Sequence, residues 1–177
     1  VMTATPIPRT TALSIYGDLD ISSINELPPG RKEIISYLFT GLKEDNNRVF
    51  DKCHEHLNKN SQIFVVCPYI DESENSDIQA AEIVYKEYKE KFEDKKVALL
   101  HGKMAYEEKE RIMNDMTEYR IDILVSTVVI EVGIDIPNAS LMVIESAERF
   151  GLNQLHQLRG RVGRGEKQSE CIFHITK

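Results

Sequence analysis

The chain contains no tryptophan, only three cysteines, and no apolar run long enough to span a bilayer as a helix. Each shortage excludes something. Cys53, Cys67 and Cys171 are an odd set with no close Cys–Cys spacing, which argues against both a disulfide framework and a zinc cluster. Three lone thiols fit a reducing compartment, so a cytoplasmic protein is expected. His54 and His56 are two residues apart and would lie on different helix faces, so no metal pair is expected there. A phosphate-cradling Walker loop is also missing. Gly102-Lys103 is followed by Met104 rather than Ser or Thr, and Val97 stands where the first glycine belongs. Asp71-Glu72 after the apolar run Ile63 to Cys67 mimics a strand-plus-acid magnesium site. Pro68-Tyr69-Ile70 separates the two, so a solvated loop is the better account.

What is present describes one globular domain: 177 residues, 41% hydrophobic and 29% charged. The formal net charge of -7 taken alone disfavours a nucleic-acid partner. Its distribution matters more than its sum. Asp71 to Asp94 holds nine acidic residues against three lysines, whereas no acidic side chain occurs from Phe150 to Gly165. Within that second stretch, Arg159 to Gly165 packs three arginines and three glycines into seven residues. If the backbone is helical there, Arg161 and Arg164 share a face and Gly160 and Gly163 clear the face beside them. Paired guanidinium forks on a glycine-relieved surface suit a cluster of phosphates. A solvated basic helix end would rarely carry three glycines, which weaken helices.

Periodicity predicts the architecture. Ile34 to Phe39, Ile63 to Cys67, Val97 to Leu100, Ile121 to Val125 and Leu141 to Ile144 are short, non-alternating apolar runs, with a mixed sixth at Cys171 to Ile175. Such runs are expected of strands buried on both faces of a parallel sheet. Between them fall helical stripes: Val49, Cys53 and Leu57; Ile78, Ala81, Tyr85, Tyr88 and Phe92; Ile112, Met116 and Tyr119. Glu107 and Glu108 sit near the start of the third helix, where its dipole favours them. The expected fold is an open, mainly parallel α/β sheet with helices on both faces. Arg9 to Tyr16 could form a short helix and Leu19 to Leu27 an extended segment. Pro28-Pro29-Gly30 is a candidate boundary between a connecting arm and the compact domain, or an ordinary tight turn. Val1-Met2-Thr3 reads as an apolar strand end without a core before it, so the sequence is expected to begin inside a larger protein.

Ligands of open α/β sheets bind beyond the carboxyl ends of the strands. Three proposed strands are followed there by polar, glycine-bearing segments. His101-Gly102-Lys103 precedes a helix and resembles an anion site. Ser126 to Pro137 follows the fourth run, and Glu145 to Phe150 leads on to the arginine–glycine segment. All are expected on one edge, facing a phosphate-rich ligand.

Three segments resemble signatures of the superfamily-two helicases. Thr3-Ala4-Thr5-Pro6 resembles motif III, Ser126 to Pro137 motif V, and Gln157-Leu158-Arg159-Gly160-Arg161-Val162-Gly163-Arg164 motif VI. Within that superfamily, Leu13-Ser14-Ile15-Tyr16-Gly17-Asp18-Leu19-Asp20, Glu26-Leu27-Pro28-Pro29-Gly30-Arg31-Lys32 and Glu148 to Gln157 are similar to the RecG family of bacterial DNA helicases. The transcription-repair coupling translocases share the Thr-Ala-Thr-Pro-Ile-Pro-Arg-Thr start and much of motifs V and VI. The resemblance implies a RecA-like domain, with residues 1–30 ending a first helicase domain and forming a connecting arm, and residues 31–177 forming the second. It implies that Arg161 and Arg164 are arginine fingers toward the γ-phosphate of ATP. Asp135 would then accept a hydrogen bond from the ribose, Gly133 would allow close backbone approach, and Gln157 would link motif VI to the nucleotide or to motif V. His101, Gly102, Lys103, Ser126 and Thr127 would contact the sugar-phosphate of one DNA strand. The implied cofactors are ATP and Mg2+, held by the first domain in cis. The implied partner is branched DNA such as forks and Holliday junctions, remodelled in recombination and repair. With no cradle of its own, this stretch alone is expected not to hydrolyse ATP. Two other accounts are a non-catalytic nucleic-acid-binding module and a flavodoxin-like receiver domain, which leaves the arginines unexplained.

Overall fold

The structure, a computed structural model, describes residues 32–68, 74–127 and 136–176. Among the described residues six strands are joined by helices at every connection but that from β4 to β5: β1 Ile35–Phe39, α1 Lys43–Asn58, β2 Gln62–Cys67, α2 Glu74–Lys91, β3 Val97–Leu100, α3 Tyr106–Thr117, β4 Ile123–Thr127, β5 Ala139–Glu145, a 3-10 turn Ala147–Arg149, α4 Leu152–Arg159 and β6 Glu170–His174. The strands form one sheet in the order β1-β6-β5-β2-β4-β3, and every neighbouring pair is parallel. Parallel strands need long crossovers, and α1, α2, α3 and α4 supply four of them. Each apolar run of the sequence becomes one of these strands. The fourth starts two residues later than its run, because Ile121 and Asp122 complete the turn that enters it.

Two cores sandwich the sheet. On one face α1 and α2 press Val49, Cys53, Leu57, Ala81 and Tyr88, with Phe92 just past α2, onto Ile63, Val65, Ile123, Val125, Leu141 and Val143. On the other, Ile112 and Met116 of α3 and Leu158 of α4 meet Phe64, Leu124, Met142 and Ile144. Alternate residues of each central strand therefore serve opposite cores, which is why those runs do not alternate with polar residues. β2, β4 and β5 are buried throughout. β1 departs from that expectation: Leu38 is 65% exposed and Ile35 43%. It lies at the end of the strand order and has one neighbour, so its apolar run covers a rim rather than a core.

The third helical stripe also shortens. Tyr119 lies beyond α3, with a left-handed φ of 60°, and is exposed, because Arg120 turns back to place its guanidinium Nε 2.8 Å from Asp115 Oδ1. All three cysteines are buried as free thiols. Burial pushes the Cys53 and Cys67 thiols far up and that of Cys171 up to about 12, so they stay protonated and inert near neutrality. The expected helix at Arg9 to Tyr16, the extended segment Leu19 to Leu27, the Pro28-Pro29-Gly30 boundary, the Asp71-Glu72 loop, and Gly133 and Asp135 lie outside the described residues.

Candidate nucleotide and nucleic-acid surfaces

The strands run parallel, so the sheet has a distinct amino edge and carboxyl edge. Strands of four to seven residues put these edges ~13–23 Å apart. The sequence-predicted residues divide between the two.

The arginine–glycine segment belongs to the amino edge, which corrects the expectation of a single ligand-facing edge. α4 carries the chain back along the sheet from the carboxyl end of β5 and stops at Arg159. The segment then turns to enter β6. Its neighbours are residues that immediately precede strands. A side chain at Gly163 would meet Ile34 at 3.1 Å, and one at Gly165 would meet the carbonyl oxygen of Pro137 at 2.3 Å. Nor are Arg161 and Arg164 on a helix. Gly160 caps α4, Arg161 closes the following turn with its amide bonded to Leu158 O at 3.0 Å, and Gly163 takes a φ of 83° that ordinary side chains resist. The glycines thus do more than clear a face: one bends the chain left-handed and one lets two backbones meet.

Between the arginines, Val162 is fully buried in the α3–α4 core and pins the segment to it. Arg164 is exposed, Arg161 half-buried, and Gln157 exposed on α4. Farther on, the Lys167 ammonium donates to Lys59 O, Asn60 O and Asn138 Oδ1 at 2.9–3.0 Å. Gln168 Nε2 donates to Glu33 O at 2.7 Å. A buried network lies under the start of β6. His56 Nε2 is 3.0 Å from Glu170 Oε2 and its Nδ1 2.7 Å from Ser140 Oγ, while Tyr37 and Lys52 donate to the same carboxylate. The segment is therefore held by apolar anchors, backbone contact and hydrogen bonds on several sides, while Arg164 is presented outward.

The carboxyl edge holds the other predicted group. Leu100 pairs with Ser126 across β3 and β4, so His101 and Thr127 stand side by side where the two strands end. Gly102 and Lys103 follow, both exposed. Ser126 and Thr127 are buried, at 0% and 4% exposure. Among the described residues, the buried Ser126 Oγ and His101 Nδ1 have no hydrogen-bond partner. Such orphaned polar atoms call for a water, a ligand or a neighbouring loop. The dipole reading of Glu107 and Glu108 holds, whereas His101-Gly102-Lys103 does not sit at the helix N-terminus itself. His101 to Ala105 form a turn ahead of the helix, Ala105 provides no side-chain cap, and Glu107 and Glu108 occupy its first turn. Those carboxylates repel an anion from the helix end, leaving the neutral amides of the turn and the charged Lys103 side chain to face one. The Lys109 ammonium braces this turn by donating to Gly102 O.

One carboxyl-edge feature gave no signal in the sequence. Beyond β5 and β6, a cleft of about 210 Å3 is lined by Asn46, Glu87, Glu145, Ser146, His174 and Thr176, among others. His174 Nδ1 lies 2.6 Å from Glu145 Oε2 and its Nε2 2.8 Å from Asn46 Oδ1. Burial opposes charge on this imidazole, but the hydrogen bond and charge of Glu145 outweigh it and raise its pKa. Burial likewise pushes the Glu87 carboxyl up, with Glu145 adding to it. Only the fold brings these groups, scattered over 130 positions of chain, together.

Among the described residues no group of three His, Cys, Asp or Glu could hold a metal ion. The arginine segment at the amino edge and the Lys103 turn at the carboxyl edge offer cationic and hydrogen-bonding groups, which suit phosphates. No described helix is long and apolar enough to cross a membrane.

A six-stranded parallel sheet with an arginine segment fixed at its amino edge and polar turns at its carboxyl edge is the RecA-like architecture of helicase motor domains. The profile of the helicase conserved C-terminal domain matches residues 45–166, and the chain belongs to that family. Similarity narrows the comparison further. Over 99% of its length the chain is 56% identical to the ATP-dependent DNA helicase RecG of Aquifex aeolicus and 51% identical to that of Thermotoga maritima. It spans about a fifth of those relatives, 22% of each. A solved structure of RecG bound to a three-way DNA junction superposes with a TM-score of 0.76 at 46% identity, covering 97% of this chain and 22% of that one.

Proposed function

We propose that this domain is the second motor domain of an ATP-dependent DNA helicase of the RecG kind, which remodels branched DNA by fork regression and Holliday-junction branch migration. One observation carries the reading: the motif VI segment is fixed at one sheet edge with Arg164 presented outward, while phosphate-suited polar groups collect at the opposite edge. The identity to RecG helicases over nearly the whole chain supports the substrate class.

In this reading Arg161 and Arg164 reach the γ-phosphate of an ATP held by a first RecA-like domain in cis. That domain supplies the phosphate cradle and the Mg2+ ligands, which these 177 residues lack. Residues 1–30 are the end of that first domain and the connecting arm. Asp135 and Gly133 serve the ribose, and Gln157 joins motif VI to the nucleotide or to motif V. Arginine fingers offset charge that grows on the transferring phosphoryl group, so they act on turnover more than on binding. His101, Gly102, Lys103, Ser126 and Thr127 grip the sugar-phosphate of one strand. Contacts of that kind carry no sequence information, as a translocase requires. Closure on ATP and release after hydrolysis give a hinge cycle in which a nucleotide-dependent approach of two domains moves the DNA. In this reading the work is done in the cytoplasm, with branched DNA as partner.

Arg164→Ala in the full-length protein tests the assignment. DNA-stimulated turnover should fall by ~10³–10⁵ with nucleotide affinity largely retained. Collapsed affinity with a normal residual rate would defeat the finger role.

A further inference from the structure

Lys167 belongs to no motif that the sequence singles out, yet its side chain ties together the two segments that flank the proposed nucleotide. Its ammonium has three donors and no acceptor, and three acceptors receive them: Lys59 O at 3.0 Å, Asn60 O at 2.9 Å and Asn138 Oδ1 at 3.0 Å. Two of these are carbonyls at the carboxyl end of α1, where the helix dipole favours a cation. The third belongs to Asn138, which closes a ring by donating its own Nδ2 to Asn60 O at 3.1 Å. Asn138 is further fixed through its backbone oxygen, which accepts the Gln62 amide at 3.0 Å.

Position in the chain gives this ring its meaning. Lys167 is three residues beyond Arg164. Asn138 is three residues beyond Asp135 and follows Pro137, whose carbonyl lies against Gly165. The geometry points to Lys167 as a positioning residue for phosphoryl transfer: through Asn138 and the end of α1 it sets the spacing between the motif V exit and the arginine segment. This rests on the finger assignment above. It adds that the alignment of the fingers depends on a latch outside the motifs. Val162 in the core and the Gln168 bond to Glu33 O remain when the latch is lost. The fold should therefore persist while the arginines lose their register. A misplacement of an ångström at a catalytic group costs on the order of 10²-fold in rate.

The test is made in the full-length protein, with branched DNA and ATP. Lys167→Ala should lower kcat about tenfold to a hundredfold. Nucleotide Kd, and the fraction of protein that binds nucleotide, should stay within about twofold, since the cradle is elsewhere. Asn138→Ala should reproduce the loss, and the pair together should cost less than the product of the two, as members of one ring do. Lys167→Arg, which keeps the charge and some donors, should recover part of the rate. Unchanged kcat in Lys167→Ala would overturn the latch. So would a kcat loss matched by an equal loss of nucleotide-binding protein, which marks a purely folding role. If Lys167→Ala does not fold, Asn138→Ala and Lys167→Arg decide by the same criteria. An Arg164→Ala protein that still turns over would instead defeat the finger assignment, so the two failures are distinguishable.

Discussion

The two edges of the sheet use opposite devices. At the amino edge the arginine segment is over-determined: Val162 is buried, Gly163 is bent left-handed against Ile34, Gly165 abuts Pro137, and Lys167 is fully engaged. At the carboxyl edge Ser126 Oγ and His101 Nδ1 are buried with no partner among the described residues, and Lys103 is exposed. Chemistry on a transferring phosphoryl group rewards donors fixed before the reaction, because realigning them would cost rate. Gripping a moving backbone rewards polar groups that ligand oxygens can complete and then leave. The difference suggests that mutations at the two edges should separate turnover from DNA affinity.

The sharpest way to break that comparison, after removal of Arg164, is Gly165→Ala. The new methyl would fall 2.3 Å from Pro137 O, a backbone atom that cannot step aside without moving the motif V exit. Turnover in the full-length protein should drop on the order of 10²-fold with DNA affinity unchanged. Equal losses of both, by ATPase and anisotropy assays, would mean the edges are not independent.

Lys103→Ala sharpens it from the other side. Losing one phosphate contact should weaken DNA binding uniformly across sequences and reduce the salt slope by about 1. The turnover rate at saturating DNA should hold. A salt titration of affinity that shows no change in slope would remove Lys103 from the DNA surface.

The smallest effect belongs to the Glu145–His174–Asn46 cluster. The folded pKa of His174 is raised, so its contribution to stability is complete below the unfolded value near 6.5. It is lost as pH rises through the raised folded value. Melting temperature between pH 6 and 8.5 should therefore fall with rising pH more in the native protein than in His174→Asn. Parallel curves would show that the imidazole does not carry the charge assigned to it.

Much of this was legible in the residues. Apolar runs and three-four spacing located each described strand and the three long described helices, since a buried parallel strand and an amphipathic helix each leave a period in the chain. The arginine–glycine cluster was legible for the same local reason: three arginines and three glycines lie within seven contiguous residues. The helical pairing of Arg161 and Arg164 did not survive, because Gly163 turns the chain after α4 and Ile34 packs against it. Nothing local announces Ile34 as the neighbour of Gly163.

The sequence by itself determined the elements, the parallel class and the chemical character of the arginine–glycine and His101–Lys103 segments, because period, propensity and motif are properties of contiguous residues. Tertiary structure alone decided which edge each group occupies, that Lys167 reaches Asn138 and the end of α1, and that Glu145 meets His174. Those outcomes depend on strand order and crossover direction, which join residues tens of positions apart through the packing of the whole sheet.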